Sequence, residues 1–474
     1  MKALRLCFWI SLWMIAALPA IAQGEIEQLS GSWMGSLDAG STSLRLVFNL
    51  TVEEDGSISA TMDSPDQGAK GVPMGEVLVT KDSLRIEAPM LQGYYVGRIS
   101  SAEKILGEWH QVGRSFELHL EKLDGAFELK RPQEPRPPFP YKEEEVIFKQ
   151  KTQGFTLSGT LTLPEGEGPF PSVLLITGSG SQNRDEEIFG HKPFKVIADH
   201  LTRKGIAVLR YDDRGVAASG GSASGANSAD LALDARSALD FLLSRSEIDS
   251  SRTGIVGHSE GGMIAFMLAS EHPDISFIVS LAGPGVDGKT ILLEQSEYIS
   301  RLSGISASII EDNQIVMGEA YDLLISNETH QSWGEELIDF TSRYYSGKSD
   351  RQYSEEEIER GKDNLLNSIP ESSYAWMRYF VSFDPAPLFQ TILCPVLALN
   401  GAKDSQVLAE KNINAIKEGL QSSGNKEITA MILPGLNHLF QNCETGLPAE
   451  YGQIEETFDP TALELISGWI LQLQ

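Results

Sequence analysis

Five short, uninterrupted apolar runs constrain the fold more than anything else in the chain: "PSVLLITGSG" (171–180), "GIAVLRYDD" (205–213), "TGIVGHS" (253–259), "ISFIVSLAG" (275–283) and "CPVLALNG" (394–401). A strand that is apolar on consecutive residues has no face left for water, so each run needs cover on both sides. Parallel sheets flanked by helices provide that cover. Amphipathic stretches at helical spacing separate several of the runs, among them "PFKVIADHLTRKG" (193–205) and "SADLALDARSALDFLLSR" (228–245). Residues 142–474 therefore read as an α/β layered domain. Between about 284 and 389 the alternation gives way to helix-like segments rich in Glu, Ile, Tyr and Trp, which read as an inserted helical cap.

Upstream the period changes to two. Leu44, Leu46, Phe48, Leu50 and Val52 alternate with mostly polar partners, and the pattern returns at Leu84 and Ile86 and at Phe116, Leu118 and Leu120. Turn signals such as Glu54-Asp55-Gly56 stand between these runs, so 23–130 reads as a small antiparallel all-β domain, a barrel or sandwich with one buried face. "RPQEPRPPFPY" (131–141) holds five prolines, which remove backbone donors and favour a stiff, extended connection between the two domains. At 474 residues the chain exceeds what one core usually serves, which agrees with two domains.

Residues 1–22 have the order of a secretory signal peptide: Lys2 and Arg5, an apolar run from Leu6 to Leu18, then Ala20-Ile21-Ala22, with cleavage expected after Ala22. The run is too short to span a bilayer, so a secreted or periplasmic protein without membrane insertion is expected. A net charge of -28 repels phosphate backbones and makes nucleic acid a poor partner. Of the three cysteines, Cys7 leaves with the leader, and the sequence does not decide whether Cys394 and Cys443 pair. No metal cluster is apparent and oligomeric state is left open.

The third apolar run ends in "GHSEGG", which puts Ser259 between Gly257 and Gly261, with the helix-like "GGMIAFMLASEH" directly behind. Strand, tight turn and helix are what a nucleophilic serine needs to stand clear of the sheet, and glycines on either side leave room where the three converge. A serine alcohol needs a base. Of the eight histidines, only His438 in "ILPGLNHLF" follows the late strands and heads a loop. Asp404 in "CPVLALNGAKDSQV" lies just past a buried strand and suits the acid that orients the base, with Asp384 as second choice. For the oxyanion, the backbone amide of Glu260 and that of Ser179 in "ITGSGSQNRDE" are the candidate donors, Gly180 being next. A phosphate-binding reading of "GSGS" lacks the following Lys. Asp212, Asp213 and Arg214 are expected to pair within the scaffold, and Tyr374, Trp376, Met377 and Phe380 are candidates for a substrate pocket in the cap.

Residues 142–474 resemble the α/β-hydrolase superfamily. "GTLTLPEGEGPFPSVLLITGSGSQNRDE", "GHKPF", "LRYDDRG" and "GHSEGG" are similar to secreted or periplasmic bacterial hydrolases near the serine aminopeptidase, dienelactone hydrolase-like and acyl-peptide hydrolase branches, and the leading β-domain follows that group's domain order. The resemblance implies a serine hydrolase acting through an acyl-enzyme on carboxylic esters of short or medium acyl chains, with no cofactor and a small-molecule substrate. Short peptides are the alternative substrate, and a glycan- or lipid-binding module with a vestigial hydrolase is a second alternative. Dienelactone hydrolases carry cysteine where this chain has Ser259, which argues against their reaction.

Overall fold

The structure is a computed structural model that describes residues 27–38, 43–347 and 354–473. The expected leader, 1–22 with Cys7, lies outside the described residues. Two compact units divide the chain at Glu128 and Leu129.

The second unit is built on an eight-stranded sheet: β1 (Lys142–Lys149), β2 (Thr156–Leu163), β3 (Phe170–Ile176), β4 (Ala207–Tyr211), β5 (Ile248–His258), β6 (Ile278–Leu281), β7 (Val396–Gly401) and β8 (Ile428–Leu433). Their spatial order is β1-β2-β4-β3-β5-β6-β7-β8. β1 and β2 are antiparallel to their neighbours; from β4 onward every pairing is parallel. All five apolar runs are buried strands, as their composition requires. In β3 the alternation sends Leu174 and Ile176 into one core, with Leu209, Ile255 and Phe266. Val173 and Leu175 go into the other, with Val208, Val256 and Ile466.

Helices α1 (Pro193–Arg203), α2 (Ser228–Leu243) and α3 (Glu260–Glu271) cover the sheet with α9 (Ala409–Ser422) and α10 (Pro460–Gln472). Between β6 and β7 stand the cap helices α4 (Gly288–Leu302), α5 (Ala307–Ser326), α6 (His330–Ser346), α7 (Glu355–Ser368) and α8 (Glu371–Ser382). They close on their own core of Trp333, Leu324, Leu337 and Tyr374. No described helix is long and apolar enough to cross a membrane. Cys394 and Cys443 are both free thiols.

The proline-rich stretch, expected as a connector, is bonded within this unit. The Arg131 guanidinium donates to the carbonyls of Phe189, Gly452 and Ile454, Gln133 bonds the backbone at Thr457 and Phe458, and Tyr141 donates to Asp199.

The first unit is one antiparallel sheet, from strand 31–38 to strand 120–122, around a core of Trp33, Phe48, Tyr95 and Trp109. Its two edge strands, 69–73 and 77–79, are consecutive in the chain. The link between them bonds Ala60 on one side and Glu87 on the other, so the sheet curls round a single core instead of splitting into a sandwich. Trp33 is fully buried and donates its indole N–H to the Leu29 carbonyl.

Candidate active site

Ser259 sits where β5 ends and α3 begins, at φ +52° and ψ −119°. For a side chain with a Cβ this is strained backbone, costing on the order of 1–3 kcal/mol, and it persists only where its surroundings enforce it. They do so here. The Ser259 amide donates to the Leu281 carbonyl of β6 at 2.8 Å. A Cβ on Gly257 would come within 2.1 Å of the Gly261 carbonyl oxygen, and one on Gly261 within 2.1 Å of the Ile176 oxygen. Both glycines are therefore required by close approach to backbone.

Asp404 and His438 come from the loops after β7 and β8, and both are buried. His438 Nδ1 lies 2.8 Å from Asp404 Oδ2, while Asp404 Oδ1 accepts the amides of Gln406 and Val407 at 2.8 and 2.9 Å. The carboxylate is thus held by backbone before it meets the imidazole, which fixes the tautomer that leaves Nε2 free to accept a proton. Neither Ser259 Oγ nor His438 Nε2 has a hydrogen-bond partner among the described residues. His258, the residue before Ser259, packs its ring 4.8 Å from that of His438.

On the other side of Ser259 is the loop after β3. The Gly178 amide is engaged by Glu186 Oε1 at 2.6 Å, and a Cβ on Gly178 would stand 3.2 Å from that of Ser259. The amides of Ser179 and Glu260 have no acceptor among the described residues. The Glu260 side chain is buried: Oε1 accepts Ser228 Oγ at 2.5 Å and the indole N–H of Trp376, from α8, at 2.8 Å, and Oε2 has no partner. Burial pushes its carboxyl up despite both hydrogen bonds.

A cavity of about 520 Å³ opens beside this point, lined by Ser179, Gly180, Asp213, Leu231, Ser373 and Trp376 among others. Of the four cap residues proposed for a pocket, Trp376 alone lines it. Tyr374 donates to the Asn327 carbonyl inside the cap core, Met377 packs against the same core, and Phe380 stacks under Trp376. Asp212 is clamped by Arg184 and Arg214 by Asp234, as scaffold pairs. Asp213, between them, is bonded to Thr177 Oγ1 and the Gln182 amide, and it lines the cavity together with Arg214. Burial raises its carboxyl to about 7, with Glu260 and Glu186 adding to the shift against those two bonds. Asp384 is exposed and bonds the Ala386 amide at the start of a helical turn, away from His438.

The residues that sequence reasoning missed are Glu186 and the Trp376 contact to Glu260. Glu186 stands in the quoted "NRDE", but neither spacing nor period marks it, and Trp376 looks like any aromatic at helical spacing. Among the described residues no group of three or more His, Cys, Asp or Glu is placed to hold a metal.

The family model described as serine aminopeptidase, S33, matches residues 192–442, just over half of the chain, from α1 to the loop of His438. The chain belongs to the serine aminopeptidase S33 family. Among curated relatives of this S33 chain, esterase EstD of Thermotoga maritima is 26% identical over 323 residues, 67% of this chain and 66% of EstD. The putative esterase NocK of Nocardia uniformis is 34% identical over 150 residues, 29% of this chain and 40% of NocK. Human dipeptidyl peptidase 8 is 33% identical over 155 residues, 31% of this chain and 17% of that protein. The alignments thus span less than two-thirds of each relative. The S33 match and the strand order together place the second unit in the α/β-hydrolase superfamily.

Proposed function

We propose that the chain hydrolyses carboxylic esters of short or medium acyl chains through an acyl-enzyme. In this reading Ser259 Oγ attacks the ester carbonyl as His438 Nε2 takes its proton, and Asp404 stabilises the imidazolium. The tetrahedral oxyanion lies against the amides of Ser179 and Glu260. Collapse breaks the ester bond, with the proton passing from His438 to the departing alcohol oxygen; water then repeats the sequence and releases the acid. The observation that carries the reading is the buried Asp404–His438 pair, whose imidazole packs on His258, directly before a serine held in strained backbone. Removal of one oxyanion donor typically costs about 3 kcal/mol of barrier, so two free amides are a substantial part of it.

The test is a panel of p-nitrophenyl esters and aminoacyl anilides assayed with wild type and Ser259→Ala. Ester turnover that falls by roughly 10⁴-fold or more in the variant supports the mechanism; unchanged turnover rejects it. The family description and the likeness to dipeptidyl peptidase 8 favour short peptides as the second reading. Anilide turnover exceeding ester turnover would install that one instead. The leader supports export with cleavage after Ala22, which N-terminal sequencing of the protein recovered outside the cytoplasm checks.

A further inference from the structure

The catalytic reading leaves a second carboxylate–histidine pair unused. Glu186, in the loop after β3, and His258, the last residue of β5, are both buried. Glu186 Oε1 accepts the Gly178 amide at 2.6 Å and faces His258 Nδ1 at 2.9 Å, and His258 Nε2 faces the His438 carbonyl oxygen at 2.9 Å. A carbonyl can only accept, so Nε2 carries a proton. Oε1 already accepts from Gly178, so the proton between Oε1 and the ring belongs on Nδ1. Both ring nitrogens are then donors, and the pair is an imidazolium against a carboxylate.

Burial alone would discharge the ring, yet the Glu186 carboxylate outweighs it and His258 is held above its ordinary value. The other titratable groups facing the pair are Asp404 and the His438 ring on the base side and Asp213 on the cavity side. Elsewhere the pair faces apolar Phe194, Leu281 and Phe458. Glu186 itself stands at φ +51°, which a residue with a Cβ adopts only when its surroundings hold it there.

We propose that Glu186 and His258 form a charged positioning pair that couples the oxyanion loop to the loop of the catalytic base. At one end it engages the Gly178 amide, so the next amide, that of Ser179, is left for the oxyanion. At the other it anchors the backbone of His438, whose imidazole Asp404 orients from the far side. One carboxylate oxygen thus sets the separation between donor and base, which must be right only in the transition state. The inference rests on Ser259, His438 and Asp404 as the reacting set.

Glu186→Gln tests it. Without the carboxylate's charge the buried ring is neutral and keeps a single N–H, so it cannot donate both to the glutamine oxygen and to the His438 carbonyl, and one arm opens. The expected result is a folded enzyme whose kcat for esters falls about 10–100-fold with KM nearly unchanged, as for lost second-layer support. Affinity for a trifluoromethyl ketone should weaken in parallel with kcat/KM. An unchanged kcat, or a rise in KM alone, overturns the proposal. If Glu186→Gln does not fold, His258→Gln, which can donate to the His438 carbonyl without charge, is read by the same criteria. Histidine ring ¹⁵N spectra of the wild type give an independent reading. Both His258 nitrogens should remain protonated above the ordinary histidine range, and a bare Nδ1 there overturns the charged pair. Because that spectrum needs no substrate, a protein without ester turnover would reject the proposed function while still deciding the pair's charge.

Discussion

Two buried carboxylates, Asp404 and Asp213, are held in different ways, and substitution separates them. Asp404 receives two backbone amides and faces the His438 ring, so its orientation is fixed without any substrate. Asp404→Asn should keep the fold but present the wrong tautomer, lowering kcat by about 10⁴-fold in steady-state assays. Asp213 is instead held near 7 by burial, well above an unfolded carboxyl. Between the ordinary carboxylate range and about 7, the folded chain keeps a proton that the unfolded chain has released. The stabilisation is therefore complete at acid pH and disappears as pH rises through about 7. Asn fits the same contacts, with its oxygen on the Gln182 amide and its NH₂ donating to Thr177 Oγ1. Asp213→Asn should therefore raise the unfolding midpoint at pH 8 and flatten its decline between pH 4 and 7, as calorimetry across that range would report.

At the level of elements, the cap meets the turn between β5 and α3 through a hydrogen bond as well as packing. Trp376 of α8 donates to Glu260, the first residue of α3, and lines the cavity with its ring. Trp376→Phe retains most of the ring and removes the donor, leaving a buried carboxyl that already has one unpartnered oxygen. A lost bond to such a group costs about 1–3 kcal/mol. The expected kinetic result is a several-fold change in KM across an ester series with a smaller change in kcat. The sequence made the positions of Ser259 and Asp404 at strand ends legible, because β5 and β7 are buried on both faces and read as consecutive apolar residues; His438 follows β8, which is partly exposed, and the sequence placed it by chain order alone. It did not reveal β1 and β2. In β1, Val146 and Phe148 alternate with exposed residues, and β2 is rich in threonine, so neither resembles its parallel neighbours. Glu186 was invisible for another reason: its partners arrive from Gly178 and His258 through tertiary packing, with no period to announce them.

For the whole molecule, composition predicted stiffness in "RPQEPRPPFPY" but could not say what the stretch docks on. Two of the carbonyls that receive Arg131, at Gly452 and Ile454, lie more than three hundred positions away in the chain. The boundary of the second unit is accordingly at Leu129 and not at Lys142. A chain of 129–474 should fold cooperatively, whereas 142–474 forfeits the Arg131 and Gln133 bonds and leaves buried carbonyls unpaired. Its unfolding midpoint in urea should be clearly lower at equal slope.

The glycines around Ser259 also determine how this chain can change. With backbone oxygens 2.1 Å from where a Cβ would go on Gly257 and Gly261, no neighbouring side chain can move aside to admit a methyl group. In a saturation library those two sites should accept glycine alone, whether survival is scored by folding or by turnover. Cavity positions such as Ser373 and Leu231 remain open to exchange. Altered substrate choice is therefore expected to accumulate around a turn whose own geometry does not drift.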